Sequence, residues 1–153
     1  MVGRIRVARD KSEFVQSLVS GRDRDGMFQT YADLLVFAAM LGIKAEKRVP
    51  VEIVSKEPAP VGLDIFISRG YDRAIKLVAI VQTGDPAILS AYNPHSEDER
   101  MTIFEEYANG GLEVLQEELR GAVDYTERLL LLLNAERFSE DIPTGEFDLT
   151  QFL

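Results

Sequence analysis

The sequence predicts a mainly α protein: a single-domain compact helical bundle with a short N-terminal strand and a small extended segment near residues 49–67. Apolar residues recur at helical spacing through most of the second half, and several acidic or hydroxyl residues stand where helix caps are expected. The 153 residues, 46% of them hydrophobic, suffice for one domain with a core. We expect this domain at residues 1–138 and an acidic, hydrophobic C-terminal tail at residues 139–153.

The N-terminus predicts a strand followed by a helix. Arginines alternate with aliphatic residues over positions 4–7, a period of two that is typical of a strand. Asp10 is followed three residues later by Glu13, the spacing of a capping box. We expect a helix from this box to about Val19.

The next helix is predicted to be central in the bundle. Thr30 is a good capping residue, and the ten residues after it are apolar on nearly every face. A helix with this pattern must be covered on all sides. Gly42 is expected to end it, because glycine readily adopts the left-handed conformation of a helix stop.

The middle of the chain is predicted to be extended at first and helical afterwards. Prolines interrupt residues 44–62, and proline lacks the backbone donor that a regular helix needs. Residues 63–68 fit either a strand or a helix, whereas residues 72–83 favour a helix. Asp85 before Pro86 predicts a cap and the first turn of a further short helix.

Two further capping boxes are predicted in the second half of the chain. Ser96 with Glu99 and Asp124 with Glu127 each precede a helical period. Five consecutive leucines at positions 129–133 indicate that the last helix belongs to the core.

The pair Gly110 and Gly111 interrupts an otherwise helical segment. Each interior glycine costs about 1 kcal/mol relative to alanine, so a structural gain must offset it. One explanation is close approach of a neighbouring helix over Ala108 and Gly111, and the other is a left-handed stop at Asn109 and Gly110. The apolar stripe keeps its helical phase across the pair: Met101, Phe104, Ala108, Leu112, Leu115 and Leu119.

Charge is distributed unevenly along the chain, whose net charge is −9. Residues 1–50 contain nine Lys/Arg and six Asp/Glu, a balance of +3, and the remaining residues contain eight and twenty, a balance of −12. The negative net charge disfavours binding to nucleic acid, but the basic residues of the first half could contact phosphates locally. A simpler explanation of the uneven charge is that each half of the chain presents an ordinary solvated surface. The candidate DNA-binding residues are Arg4, Arg6, Arg9, Lys11, Arg22, Arg24, Lys44, Lys47 and Arg48.

The sequence contains no recognisable catalytic signature. It has no cysteine, and neither a phosphate-binding GxxxxGK[ST] motif nor a GxGxxG motif occurs. His95, the one histidine, has no nucleophile motif to act with and is interpreted as a turn residue. Glu113 and Glu117 share a helix face and could hold a divalent cation, but such pairs are usually hydrated. We expect no catalytic residue, no metal and no cofactor.

Two DNA-binding folds can be compared with the N-terminal half. A helix-turn-helix is disfavoured, because Pro50 falls where its recognition helix should run. A ribbon-helix-helix fits better. It needs a strand with alternating exposed polar residues, for which Arg4 and Arg6 are candidates, followed by two helices. The long connection between the predicted helices counts against it.

Three segments together resemble a known family: YADLLVFAAMLGIKAEKRVPV, AIVQTGDPAILS and MTIFEEYANGGLEVL. They are similar to DNA phosphorothioation-associated protein 4, also called Dnd system-associated protein 4, over roughly residues 4–120. The element IFEEYANGGLEVL is the most specific. None of the three is an active-site pattern.

The resemblance implies a bacterial, non-enzymatic accessory or adaptor protein of DNA phosphorothioate modification or of the linked restriction system, which serves in defence. Its partners would be other proteins of that system, with DNA contacted through the basic half. The alternative is a ribbon-helix-helix-like regulator of the same locus. The longest apolar run, residues 34–43, is too short to cross a bilayer, so we expect a cytoplasmic protein without membrane contact. A homo-oligomer is left open, and the tail either docks onto a basic partner or folds back.

Overall fold

The short N-terminal sheet joins two distant parts of the chain. The computed structural model describes residues 3–21, 26–122 and 124–141. Strand β1 (Arg4–Ile5) pairs antiparallel with β2 (Val61–Gly62). Arg4 is exposed and Ile5 is buried, as the predicted alternation requires.

Helices make up most of the described chain, which confirms the mainly α class. They are α1 (Ser12–Leu18), α2 (Tyr31–Lys44), α3 (Leu63–Ser68), α4 (Asp72–Thr83), α5 (Pro94–Glu118) and α6 (Tyr125–Asp141), with 3₁₀ turns at Arg9–Lys11 and Pro86–Leu89.

The N-terminal helix forms without its predicted capping box. Asp10 lies inside the 3₁₀ turn, and α1 begins at Ser12 with no side-chain hydrogen bond at its cap. The capping pattern therefore located the helix but not its first residue. The 3₁₀ turn places Lys11 in the interior, where it is buried.

Helix α2 begins where the sequence predicts and ends later. Thr30 and Asp33 form a full capping box at its start. Gly42 does not stop the helix, which continues to Lys44. A Cβ at Gly42 would lie 2.1 Å from the carbonyl oxygen of Tyr107, so this glycine permits close packing against α5.

The structure decides between strand and helix for the two segments rich in β-branched residues, and both are helical. Residues 63–68 form α3, so the extended segment predicted near residues 49–67 gives way to a helix already at Leu63. The predicted helix at residues 72–83 is confirmed as α4. Gly84 ends α4 with a φ of 64°, and Asp85 caps the following 3₁₀ turn by accepting from the Ala87 amide.

Helix α5 starts earlier than predicted, because Asn93 rather than Ser96 provides its cap. The Asn93 side-chain oxygen accepts from the His95 amide, and its carbonyl accepts from the Glu97 amide. Ser96 instead donates its hydroxyl hydrogen to the Ala87 carbonyl.

The glycine pair lies within a continuous helix, so close approach is the correct explanation and the left-handed stop is wrong. A Cβ at Gly111 would lie 1.6 Å from the Ala38 carbonyl oxygen on α2. A Cβ at Gly110 would lie 1.9 Å from the Lys47 carbonyl oxygen. The missing side chains allow two backbone segments to contact α5 directly.

The chain divides into two compact units, Met1–Glu117 and Glu118–Leu153. In the first, Phe66 and Phe104 are fully buried and meet edge to face with ring centroids 5.5 Å apart. In the second, Asp124 caps α6 by accepting from the Thr126 and Glu127 amides. The expected domain at residues 1–138 stays a prediction, and tail residues 142–153 lie outside the described part.

Candidate functional site

The basic residues predicted to contact DNA lie in different environments. Arg4, Arg9 and Lys44 are exposed. Arg6, Lys11, Lys47 and Arg48 form ion pairs with carboxylates of α5, although Arg6 and Arg48 are also exposed. Arg22 and Arg24 lie outside the described residues. Much of the positive charge in the first half is therefore balanced within the molecule, and the DNA-binding role of the set stays a prediction.

The pair of Arg6 and Glu105 joins the residue that follows β1 to α5. Glu105 is only 4% exposed, and its Oε1 accepts from the Arg6 backbone amide at 2.7 Å and from Nε at 2.9 Å. Oε2 accepts from Arg6 Nη2 at 2.7 Å. This forked arrangement is the strong form of an arginine–carboxylate pair. The side-chain hydrogen bond to Glu105 raises the pKa of Arg6.

Residues 47–50, here named the crossing segment, pass directly over α5. The Val49 amide donates to the Glu106 carbonyl at 3.0 Å, and Arg48 Nε donates to Glu106 Oε2 at 3.1 Å. The Arg48 guanidinium also lies 5.9 Å from the centre of the Tyr107 ring. Gly110 lets the segment come this close, since its absent side chain leaves room for the Lys47 carbonyl.

A buried lysine and a shared carboxylate lie beside the crossing segment. Lys11 is 2% exposed, and its Nζ donates to Glu113 Oε1 at 3.2 Å. Glu113 Oε2 lies 3.1 Å from Lys47 Nζ. Burial would raise the pKa of Glu113, but the hydrogen bonds from Lys47 and Lys11 outweigh it and lower the pKa below its ordinary value.

A cavity of about 620 Å³ opens next to this cluster, within the size range of small-ligand sites. Its lining has an inner, less accessible part and an outer, exposed part. The inner residues are Ala8, Lys11, Val49, Asn109 and Glu113, and the exposed ones are Arg9, Asp10, Pro50, Glu52 and Ile53.

Asn109 connects the cavity to the crossing segment. It is 3% exposed, and its Nδ2 donates to the carbonyls of Val49 at 3.0 Å and Pro50 at 3.3 Å. Its Oδ1 is buried and has no hydrogen-bond partner among the described residues. An unpaired acceptor at a buried position is costly, and such atoms are uncommon in native structures.

A second ionic cluster fixes the start of α2. Asp33 accepts from Arg69 Nε at 2.9 Å and from the Tyr71 hydroxyl at 2.5 Å, besides its part in the capping box. Burial acts to raise the pKa of Asp33, but hydrogen bonds from Tyr71, Arg69 and Thr30 lower it. Every group here has a partner, so we assign this cluster a structural role.

The outer face of α4 exposes two aliphatic side chains one turn apart. Leu77 is 53% exposed and Val81 is 59% exposed. The opposite face buries Ile75, Val78 and Ala79 in the core. Residues four apart lie on the same side of a helix, so Leu77 and Val81 form one apolar strip.

The other residues considered for chemistry, His95, Glu113 and Glu117, form no catalytic or metal-binding group within the described part of the chain. No group of three or more His, Asp or Glu side chains suited to a metal ion occurs in the described part of the chain. His95 is exposed in the first turn of α5, beyond the turn where the sequence placed it. Glu113 is engaged with two lysines, and Glu117 is exposed.

Comparison with known families decides the context of these features. A family model described as DNA sulphur modification system-associated protein 4 matches residues 4–152. The chain belongs to this family. This confirms the family suggested by the sequence and places the protein with a DNA sulphur modification system. No curated protein and no solved structure matches the chain. Within residues 3–21, 26–122 and 124–141, no helix has the length and apolar character that a membrane crossing requires.

Sequence reasoning missed the acidic partners of the basic half and the cavity. A usable signal was present, because Glu105, Asn109 and Glu113 are four residues apart and so share a face of α5. What the sequence did not supply was the position of the crossing segment over that face.

Proposed function

We propose that this protein is a non-enzymatic accessory protein that binds another protein of the DNA sulphur modification system through the outer face of α4. The exposed strip of Leu77 and Val81 is the observation that carries this proposal. Apolar surface of this kind is stabilised when a partner covers it. The family supplies the class of partner, a protein of the same system.

The internal charge pairs support contact with protein more than contact with DNA. Arg6, Lys11, Lys47 and Arg48 each lie within ion-pair distance of an α5 carboxylate. Contact with a phosphate would require those pairs to be given up, at a cost in free energy. The exposed Arg4 and Arg9 would make a smaller phosphate-binding surface.

The ribbon-helix-helix alternative has less support. In that fold, strands from two copies pair with each other, whereas β1 here pairs with β2 of the same chain. The backbone amide of Arg6 donates to Glu105, and its guanidinium is bound to the same carboxylate. A strand that reads DNA needs such side chains available.

The test is affinity purification of the tagged full-length chain from its native host. We expect proteins of the DNA sulphur modification system to co-purify with the unaltered chain and to be lost with the double variant Leu77→Ser, Val81→Ser. The matched control is Leu130→Ser, Leu133→Ser, which changes two exposed leucines of α6. Retention of the partner by the α4 variant, or its loss only with the α6 variant, would contradict the proposal.

A mobility-shift measurement tests the DNA side of the proposal. We expect the purified chain to bind modified and unmodified duplex weakly, with a shallow dependence on salt, because few basic side chains are available. Tight binding that falls steeply as salt rises would favour the regulator instead.

A further inference from the structure

Arg100 on α5 is a buried cation without an anionic partner. It is 8% exposed, and no carboxylate of the described residues lies within ion-pair distance of it. The other buried charged side chains in the same part of the chain, Lys11 and Glu105, each have a partner of opposite charge. A buried charge without a counter-charge is costly, and a carboxylate supplied by another molecule would remove that cost.

One edge of the Arg100 guanidinium is unused. Nη1 donates its two hydrogens to the Ile88 carbonyl at 2.7 Å and the Ser90 carbonyl at 2.9 Å. Nε and Nη2 donate to no described residue, and neither atom is closed to solvent. In Arg6 and Arg69, the same Nε–Nη2 edge binds a carboxylate of this chain. The free edge of Arg100 therefore has the donors that one carboxylate needs.

Arg100 lines a second cavity, of about 240 Å³, here named the Arg100 cavity. Ala91, which follows Ser90, also lines it, so the guanidinium end of Arg100 lies beside this cavity. Its volume is below the usual range of small-ligand sites, so it suits one side chain better than a whole cofactor. Four side chains form its apolar walls: Leu63, Ile67, Ile75 and Met101.

The other charges of the Arg100 cavity favour a carboxylate over a phosphate. Lys76 Nζ lies 3.7 Å from Asp72 Oδ2, so these two lining residues add no net charge. Glu97 adds one negative charge. A phosphate group carries more negative charge than a carboxylate, so Glu97 would repel it more strongly. The apolar walls also suit the methylene groups of an acidic side chain, which free phosphate lacks.

Two exposed apolar side chains lie at or next to the lining of the Arg100 cavity. Ile67 lines it and is 53% exposed, and Tyr92, which follows Ala91, is 97% exposed. A peptide with its acidic side chain in the cavity would place neighbouring residues against them. Arginine and tyrosine are enriched among the residues that carry most of the binding energy in protein interfaces. The surroundings therefore fit a peptide segment of a protein.

We propose that the Arg100 cavity binds one glutamate or aspartate side chain of a partner protein, whose carboxylate accepts hydrogen bonds from Arg100 Nε and Nη2. The residues beside it in the partner contact Ile67 and Tyr92. The inference rests on the proposed function only in taking the partner to be a protein. Its site differs from the α4 strip, because Leu77 and Val81 do not line the cavity.

The experiment pans the immobilised full-length chain against a displayed library of random nonapeptides. The enriched peptide is synthesised together with matched peptides in which each acidic residue in turn is replaced by its amide, and fluorescence anisotropy measures the affinities. We expect one amide replacement to weaken binding about tenfold, because it removes the charge and one acceptor. This comparison leaves the protein unaltered and so does not depend on how a variant folds.

Protein variants then locate the site. Ala91→Glu adds a carboxylate to the lining, where it competes for Arg100, and should weaken binding about tenfold. Ala87→Glu is the matched control, because this exposed residue does not line the cavity, and should leave binding unchanged. Arg100→Lys keeps the charge but loses the forked edge and should weaken binding about fivefold. If Arg100→Lys fails to fold, the alanine variants decide, since both positions are exposed.

Four results would overturn the inference: no peptide with an acidic residue is enriched, every amide peptide binds as tightly as its parent, Ala91→Glu binds the peptide like the Ala87→Glu control, or folded Arg100→Lys binds it like the unaltered chain. Displacement of the peptide by millimolar inorganic phosphate would also overturn it, since the site would then not select a carboxylate. Retained peptide binding with a failed purification from the host would count against the α4 strip alone. Retained purification without peptide binding would count against the Arg100 cavity alone.

Discussion

Helix α5 makes two different kinds of contact with the first half of the chain. At Gly110 and Gly111 the contact is backbone against backbone, with the Lys47 and Ala38 carbonyls in the space that side chains would fill. At Glu105, Glu106 and Glu113 the contact is charge against charge. Both bring the same segments together, but they depend on different physical quantities.

The difference shows which contacts fix the geometry and which adjust to it. A backbone carbonyl cannot move without its whole segment, so the glycine contacts tolerate no added atom. Long charged side chains can rearrange, and water and salt screen those at the surface. We therefore expect the loss of unfolding free energy to be largest for substitutions at rigid, buried contacts and smallest for those at exposed ion pairs.

The largest effect is expected from Gly111→Ala. Its Cβ would lie 1.6 Å from the Ala38 carbonyl oxygen, so α2 and α5 would have to separate. We expect the free energy of unfolding to fall by about 3 kcal/mol or more. Urea unfolding followed by circular dichroism measures this.

Gly84→Ala is the control for that substitution. No atom of the described residues lies within 4 Å of a Cβ added at Gly84, whose φ is 64°, so the substitution introduces only backbone strain. Its expected cost is about 1 kcal/mol. Equal losses for the two variants would show that packing at Gly111 is looser than described.

The next effect is expected from Glu113→Gln. It leaves the Lys11 ammonium buried without its carboxylate, which we expect to cost about 2–3 kcal/mol. Lys11→Met should cost within about 1 kcal/mol, because Glu113 is partly exposed and keeps Lys47. Chemical unfolding of both variants checks this asymmetry, and a larger loss for Lys11→Met would reverse our assignment of the buried charge.

Acid should weaken the charged contacts and leave the glycine contacts unaffected. The pKa values of Glu113 and Asp33 lie below their ordinary values of 4.5 and 3.8 in the folded chain. Such groups contribute stability that is fully present above the unfolded pKa and is lost as pH falls through the folded pKa. We therefore expect the unfolding free energy to decline below about pH 4.5.

Glu113→Gln should make that decline shallower, because one of the two depressed carboxylates is gone. Unfolding curves at neutral pH and at about pH 3.5 provide the comparison. An unchanged slope in the variant would mean that Glu113 does not contribute to the acid sensitivity.

The smallest effect is expected from Arg48→Ala. The Arg48 side chain is 35% exposed, with one ion pair to Glu106 and the Tyr107 ring beneath it. We expect a loss of about 0.5 kcal/mol that becomes smaller at high salt. A loss as large as that of Glu113→Gln would place the Arg48 pair among the contacts that fix the geometry.

Local signals predicted much of the fold but not every boundary. The cap at Thr30, the helix at residues 72–83 and the phase of the α5 stripe all follow from neighbours within a few residues. The start of α5 and the role of Gly42 were predicted wrongly, because each depends on a contact from elsewhere. Ser96 bonds to Ala87, and Gly42 packs against Tyr107.

The candidate site was less predictable than the fold. The nine basic residues were identified by charge alone, yet the position of four of them is set by acidic residues more than fifty positions away. Asn109 was noted in the sequence only as a possible helix stop. Its hydrogen bonds to Val49 and Pro50 belong to a part of the chain that local patterns describe merely as extended.

The sequence by itself determined the helical class, the uneven charge and the family, since these depend on composition, short-range periodicity and overall similarity. Tertiary structure alone decided that Gly110 and Gly111 serve close backbone contact, that four of the basic residues pair with carboxylates of α5, and that a cavity forms beside Lys11. The physical reason is that steric exclusion and ion pairing act through distance in space. Residues far apart in the chain acquire those distances only when the crossing segment lies on α5.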